Sequence, residues 1–222
     1  MAKHNQEEDK NAIDNLNEHL TSAGKVIEEK KKAIVWAVGA VVLVAVFVVS
    51  YLFIYKNPRQ QKAFEEYAKV ELQAATDSAA AEQYKKVADK YGDVGGNLAA
   101  LEAGEKLYVL GKYQEAAKYL EKFDTDEPTL KANALVLTAD CYVNMKKYDK
   151  ALEYYQEALG EDKDNPQITP RVLMKMANIY DEQKKYDKAL EAYEQISSRF
   201  PDFQYGIGIE AYIAREKSRL GK

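Results

Sequence analysis

The sequence is poor in the residues that chemistry usually needs. It has one cysteine, two histidines and five prolines in 222 residues. The lone thiol, Cys141, excludes an internal disulfide and a thiolate metal cluster. Both histidines, His4 and His19, lie near the N-terminus, so nothing after His19 supplies an imidazole. That removes Ser-His-Asp and Cys-His catalysis, and His-ligated metals, from most of the chain. A basic excess is missing too. The 32 Lys+Arg stand against 36 Asp+Glu, for a net charge of -4, which argues against a nucleic-acid partner. No strand-like alternation appears. The glycines of YGDVGGN (Gly92, Gly95, Gly96) follow no strand, so they do not read as a phosphate loop. The expectation is a protein with no catalytic, cofactor or metal site.

Charge is also absent from one long run. Ala33 to Tyr55 contains no charged residue and shows no polar face. As a helix at about 1.5 Å per residue it spans roughly 30–35 Å, enough for a bilayer core. The run is too long, and starts too far from the N-terminus, for a cleaved signal peptide. It ends in Tyr51, Leu52, Phe53, Ile54 and Tyr55, bulky residues suited to an interfacial belt. It therefore reads as an uncleaved anchor. Flanking cations barely orient it: Lys25, Lys30, Lys31 and Lys32 precede it, and Lys56, Arg59, Lys62 and Lys69 follow. The tighter N-terminal cluster leans toward a cytoplasmic N-terminus. Residues 1–32 form a tail. Ile13, Leu16, Leu20, Ala23 and Ile27 recur at helical spacing there, which fits an amphipathic helix that lies on a membrane or docks on a partner, or equally a frayed tail.

Residues 56–222 repeat themselves. Three segments align on Ala116, Ala151 and Ala189, separated by 35 and 38 residues. Each has a tyrosine three residues earlier (Tyr113, Tyr148, Tyr186) and a large residue four later (Leu120, Tyr155, Tyr193). Twelve residues before each alanine stands a small residue: Gly104, Ala139 or Ala177. Small residues let two antiparallel helices approach, and large neighbours fill the gaps beside them. A half-unit with Ala80, Tyr84 and Val87 precedes the first. The period is that of the tetratricopeptide repeat (TPR). The fold class expected is all-α: one transmembrane helix, then a TPR-like solenoid of helix pairs. A leading pair is expected over 59–75 and 78–91, and a polar last helix over Tyr205–Leu220. Thr169-Pro170 reads as an N-cap and first helical position, and Gly92, Gly111 and Gly160 as helix ends. Cys141, among core positions, reads as a buried packing thiol rather than a reactive one.

TPR arrays present one set of first-helix positions on a concave face. The register puts Leu98, Leu101, Glu105, Tyr108 and Val109 there in the first unit. The second contributes Asn133, Val136, Asp140, Val143 and Asn144, and the third Arg171, Met174, Asn178, Asp181 and Glu182. The groove is apolar at its start and acidic at its end. No lysine stands at these positions, which argues against a clamp for a peptide carboxylate and favours an extended apolar client or a partner loop with basic flanks. A surface that is merely solvated, or covered by a neighbouring helix, is the competing expectation.

The order of parts carries a resemblance. Gly24-Lys25 precedes the span, a helix begins near Phe64, Tyr67 and Ala68, and GNLAALEAGEKLYVLGKYQEAAKYLEKF starts at Gly96. In these features the chain resembles the ancillary SecYEG translocon subunit family (YfgM type). The resemblance implies a single-pass inner-membrane protein with a cytoplasmic tail and a periplasmic TPR domain. It implies partners in SecYEG, a membrane-anchored periplasmic chaperone of the PpiD type, and unfolded secretory clients handed on to chaperones. Residues 146–201 look closer to the general TPR pattern, which keeps open a scaffold for another cell-envelope complex.

Overall fold

The computed structural model describes residues 30–92, 95–204, 206 and 208–221. The expected tail helix at 13–27, with both histidines, lies outside the described residues. The chain divides into two compact units, with the boundary between Pro58 and Arg59. All regular structure among the described residues is helical.

The first unit holds α1 (Lys31–Ser50) and a π-helical turn (Tyr51–Lys56). Trp36, Leu43 and Phe47 on α1 are 81%, 71% and 73% exposed. α1 thus opens its apolar side chains outward all along its length. By length and composition this is a helix that can cross a membrane, and it is the only one among the described residues. Tyr51 and Tyr55 stack at its end, with ring centroids 5.5 Å apart.

The second unit is a chain of helices in which each packs on its sequence neighbour. α2 (Asn57–Gln73, mostly in this unit) and α3 (Asp77–Tyr91) lead. α4 (Asn97–Val109) pairs with α5 (Tyr113–Leu120), and α6 (Pro128–Asn144) with α7 (Tyr148–Glu161). α8 (Thr169–Glu182) pairs with α9 (Tyr186–Arg199), and α10 (Ile209–Arg219) closes on α9. The final helix is shorter than expected, and Tyr205 lies outside the described residues.

Repetition in sequence becomes repetition in contact. Ala116, Ala151 and Ala189 are each fully buried. Gly104 faces α5 so closely that a Cβ there would lie 2.5 Å from Leu120 Cγ. The turn inside each pair is built the same way three times. Lys112, Lys147 and Lys185 donate their amides to the carbonyls of Leu107, Tyr142 and Tyr180, five residues back. Gly111, Lys146 and Lys184 donate to Tyr108, Val143 and Asp181, three residues back. This double bond pattern is the Schellman ending, which needs a left-handed residue. Gly111 takes φ 73°, and Lys146 and Lys184 take 58° and 57°. Gly160 stands at the end of α7, one residue before Glu161, and without a positive φ. Thr169 is not the N-cap: that position is Ile168, with no side-chain cap bond, and in the turn before it Asn165 Oδ1 accepts from the amides of Gln167 and Ile168 at 2.9 and 3.1 Å. Thr169 itself is helical and donates its hydroxyl to the carbonyl of Asp162.

Tyrosine hydroxyls tie one helix to another through carboxylates. Tyr119 of α5 and Lys122, in the turn after it, both reach Asp89 of α3, at 2.8 and 2.6 Å. Tyr142 of α6 and Tyr154 of α7 share Glu121 at the end of α5. Tyr155 of α7 and Lys175 of α8 share Asp140 of α6. Such charge-assisted bonds are stronger than neutral ones. α8 serves two apolar cores. Val172, Met176 and Ile179 face the larger one, which runs back to α2, while Leu173, Met174 and Ala177 face α9 and α10.

Candidate functional site

The groove positions sort by exposure. Leu98, Asn133 and Arg171, at the same place in successive units, are all exposed. So are Val109, Asn144 and Glu182, the equivalent places at the other end of each first helix. Glu105 and Asn178 are exposed and their equivalent Asp140 is half-buried. At the two ends of the first helices the exposed residues therefore pass from apolar through amide to charged along the array, while the middle position, Glu105, Asp140 and Asn178, does not follow that order. Val109 is 70% exposed, unusual for a valine outside α1. Tyr108, Val136 and Val143 are half-buried. Leu101 and Met174 are buried at 8% and 2%, packed in the cores rather than facing the groove. Asp181 is covered in part by α10, where it accepts from Arg215 at 2.6 Å and from Arg219.

Six of the expected residues come together. Tyr108, Asp140, Val143, Asn144, Asn178 and Glu182 line one cleft of about 350 Å³. Tyr148, Tyr155, Lys175 and Ile179 complete it. The tyrosines beside the anchoring alanines carry a core pattern in sequence, and their hydroxyl ends reach the cleft. Lys175 escapes the register because it follows Met174, on the flank of the helix. Its Nζ lies 2.7 Å from both Asp140 oxygens, so the wall is locally neutral. The Tyr155 hydroxyl donates to the same carboxylate. Burial, then the Asp140 charge, pushes the Tyr155 phenol above the ordinary tyrosine range. Burial and Asp140 likewise raise the Tyr108 phenol, while a hydrogen bond with Asn144 opposes them. Glu182 has no ion pair among the described residues and leaves one uncompensated carboxylate at the rim. Partial burial, then the neighbouring Glu102 charge, holds the Glu105 carboxyl above the usual range.

This arrangement offers apolar surface, aromatic edges and amides, which suits binding an extended segment. Cys141, behind it, is fully buried, and burial then the Asp140 charge push its thiol up to about 12. A thiol held protonated is a poor nucleophile. Among the described residues no group of three or more His, Cys, Asp or Glu side chains is placed to hold a metal.

Comparison with known proteins accords with the geometry. Residues 130–202 match the tetratricopeptide repeat family. The matched stretch runs from within α6 to just past α9 and includes most of the cleft. Among solved structures the TPR-like solenoid is similar to MamA in two crystal structures. One is 24% identical, covering 65% of this chain and 79% of that one, with a TM-score of 0.53. The other is 21% identical, covering 73% and 83%, with a TM-score of 0.56. PilF of Pseudomonas aeruginosa is 18% identical, covering 84% and 79%, with a TM-score of 0.50. At these identities the likeness is one of fold. No curated protein sequence matches the chain.

Proposed function

We propose that this protein is a membrane-anchored TPR adaptor whose groove holds extended segments of partner proteins. TPR domains act as protein-binding scaffolds, without catalysis of their own. The observation that carries the reading is the row of exposed, repeat-equivalent positions, apolar at Leu98 and Val109, that leads to the tyrosine-lined cleft. α1, uncharged and outwardly apolar from Ala33 onward, supports a single-pass anchor at residues 33–55. The finer reading rests on the order of parts. The tail at 1–32 is cytoplasmic and the domain at 56–222 periplasmic in the inner membrane. The anchor stands beside SecYEG together with a PpiD-type chaperone, and the groove receives emerging secretory chains and passes them to periplasmic chaperones. Tethering supplies the mechanism: an anchor beside the channel holds the groove at high local concentration near the exit, so weak contacts suffice.

Copurification of the full chain in mild detergent tests this. The expected result is recovery of translocon subunits and a membrane-anchored chaperone. Recovery of other envelope proteins without either class would make the protein a scaffold for a different complex. A cytoplasmic signal from a topology reporter at Lys222 would overturn the orientation.

A further inference from the structure

Of the carboxylates at the register positions, two are spent. Asp140 accepts from Lys175, 2.7 Å from both its oxygens, and from the Tyr155 hydroxyl. Asp181 accepts from Arg215 and Arg219. Glu105 and Glu182 remain. Both are exposed, and neither forms an ion pair among the described residues. Glu105 also has an acidic neighbour in Glu102, and Lys106, the next residue, is held by Asp77 at 2.8 Å. These two carboxylates bracket the cleft. Glu105 stands one turn before Tyr108 on α4, and Glu182 lines the α8 side. Apolar surface from Val143 and Ile179 lies between. The cleft has no cation to spare, since Lys175 is engaged. Arg171 lies three turns from Glu182 at the start of α8, outside the cleft.

α4, α6 and α8 follow one another across the array. With about 8–10 Å between packed helix axes and about 6 Å of offset along them, Glu105 and Glu182 stand roughly 17–21 Å apart. An extended chain covers that distance in about six residues. We propose that the groove selects protein segments with two basic residues about six positions apart and an apolar side chain between them. The two cations meet Glu105 and Glu182, and the apolar side chain enters the cleft of about 350 Å³. This deepens the adaptor reading and rests on it. An acidic segment finds two like charges and no free partner. A wholly apolar segment that covers Glu105 and Glu182 strips both of water and returns nothing. Partial burial and the Glu102 charge already disfavour the ionised form of Glu105, and an incoming cation relieves that cost.

The test uses the full chain in neutral phosphatidylcholine nanodiscs and three dye-labelled peptides with blocked ends, read by fluorescence anisotropy against empty nanodiscs. The probe is Lys-Ser-Val-Leu-Val-Ser-Lys, and its comparators carry Gln or Glu in place of both lysines. At about threefold per exposed ion pair, the Lys peptide binds about tenfold tighter than the Gln peptide, and the Glu peptide binds weakest. Glu105→Gln and Glu182→Gln each lower the Lys-peptide affinity about threefold, and together they abolish its preference over the Gln peptide. Glu105→Lys with Glu182→Lys makes the Glu peptide the tightest. Glu191→Gln, on the outer face, leaves the ranking unchanged. All substituted positions are exposed, so folding is preserved, which circular dichroism checks. Equal affinity for the three peptides, no binding of the Lys peptide, or a preference that survives the double Gln variant would overturn the proposal. Copurified partners are read separately, so the adaptor reading stands or falls on its own where the basic flanks fail.

Discussion

Tyr155→Phe removes one oxygen atom from the joint between α6, α7 and α8. The ring stays, and at 1% exposure its packing is unchanged. What goes is a hydroxyl bonded to the Asp140 carboxylate. A hydrogen bond to a charged group contributes about 1.5–3 kcal/mol. The lower half of that range applies, because Asp140 keeps Lys175 at 2.7 Å and its side chain is 16% exposed. The carboxylate is not left as an uncompensated buried charge. The expected loss is about 1.5–2 kcal/mol. With a urea slope of about 2 kcal/mol per molar, the midpoint falls by roughly 0.8–1 M. Urea unfolding of the full chain in mild detergent, followed by circular dichroism, reads this directly. Tyr148→Phe is the control, since its hydroxyl makes no hydrogen bond among the described residues; it should change stability by less than about 0.5 kcal/mol. A cycle with Asp140→Asn should show coupling of about 1 kcal/mol. A Tyr155→Phe loss below about 0.5 kcal/mol, or strict additivity with Asp140→Asn, would refute the idea that tyrosine–carboxylate bonds lock the repeats together.

Three other changes follow from the same geometry. Lys184→Gly relieves a left-handed lysine at φ 57°; relief of about 1–2 kcal/mol against a glycine entropy cost of about 0.5–1 leaves a gain of up to about 1.5 kcal/mol, measured as a raised urea midpoint. Gly104→Ala places a Cβ against Leu120; overpacking of about 1–3 kcal/mol exceeds the helix-propensity gain of about 1, so the midpoint falls. Acid also destabilises. Hydrogen bonds from Lys90 to Glu66 and from Lys85 to Glu115 hold both carboxyls below their usual range. A depressed native value stabilises above the unfolded pKa of about 4.3 and is lost as pH falls through the native value. Melting temperature should therefore fall on acidification below about pH 4, and a flat profile there would contradict these assignments.

The helix pairs were legible in the sequence because their constraint is local and repeated. One small residue twelve before an alanine is a steric requirement, and Gly104, Ala139 and Ala177 meet it three times over. The left-handed turn was legible at Gly111 and not at Lys146 or Lys184, since lysine carries no sign of a positive φ; only alignment of the three turns finds it. Gly160 marks the end of α7 within one residue, but without the left-handed turn that Gly111 takes. The cleft was legible in part: six of the fifteen register positions line it. Register separates faces, but it does not tell the exposed Val109 from Met174, which the double core of α8 swallows. Nor does it foresee that α10 brings two arginines onto Asp181. Lys175 escaped because long side chains reach across from a flanking position.

The central claim is that partners meet the groove, and photocrosslinking in membranes tests it most directly. A photoreactive residue at Val109 or Asn144 should capture translocon subunits, a membrane-anchored chaperone or emerging chains. The same probe at the exposed outer positions Lys118 and Glu191 should not. Equal capture from both faces, or none from Val109 and Asn144, would contradict the account.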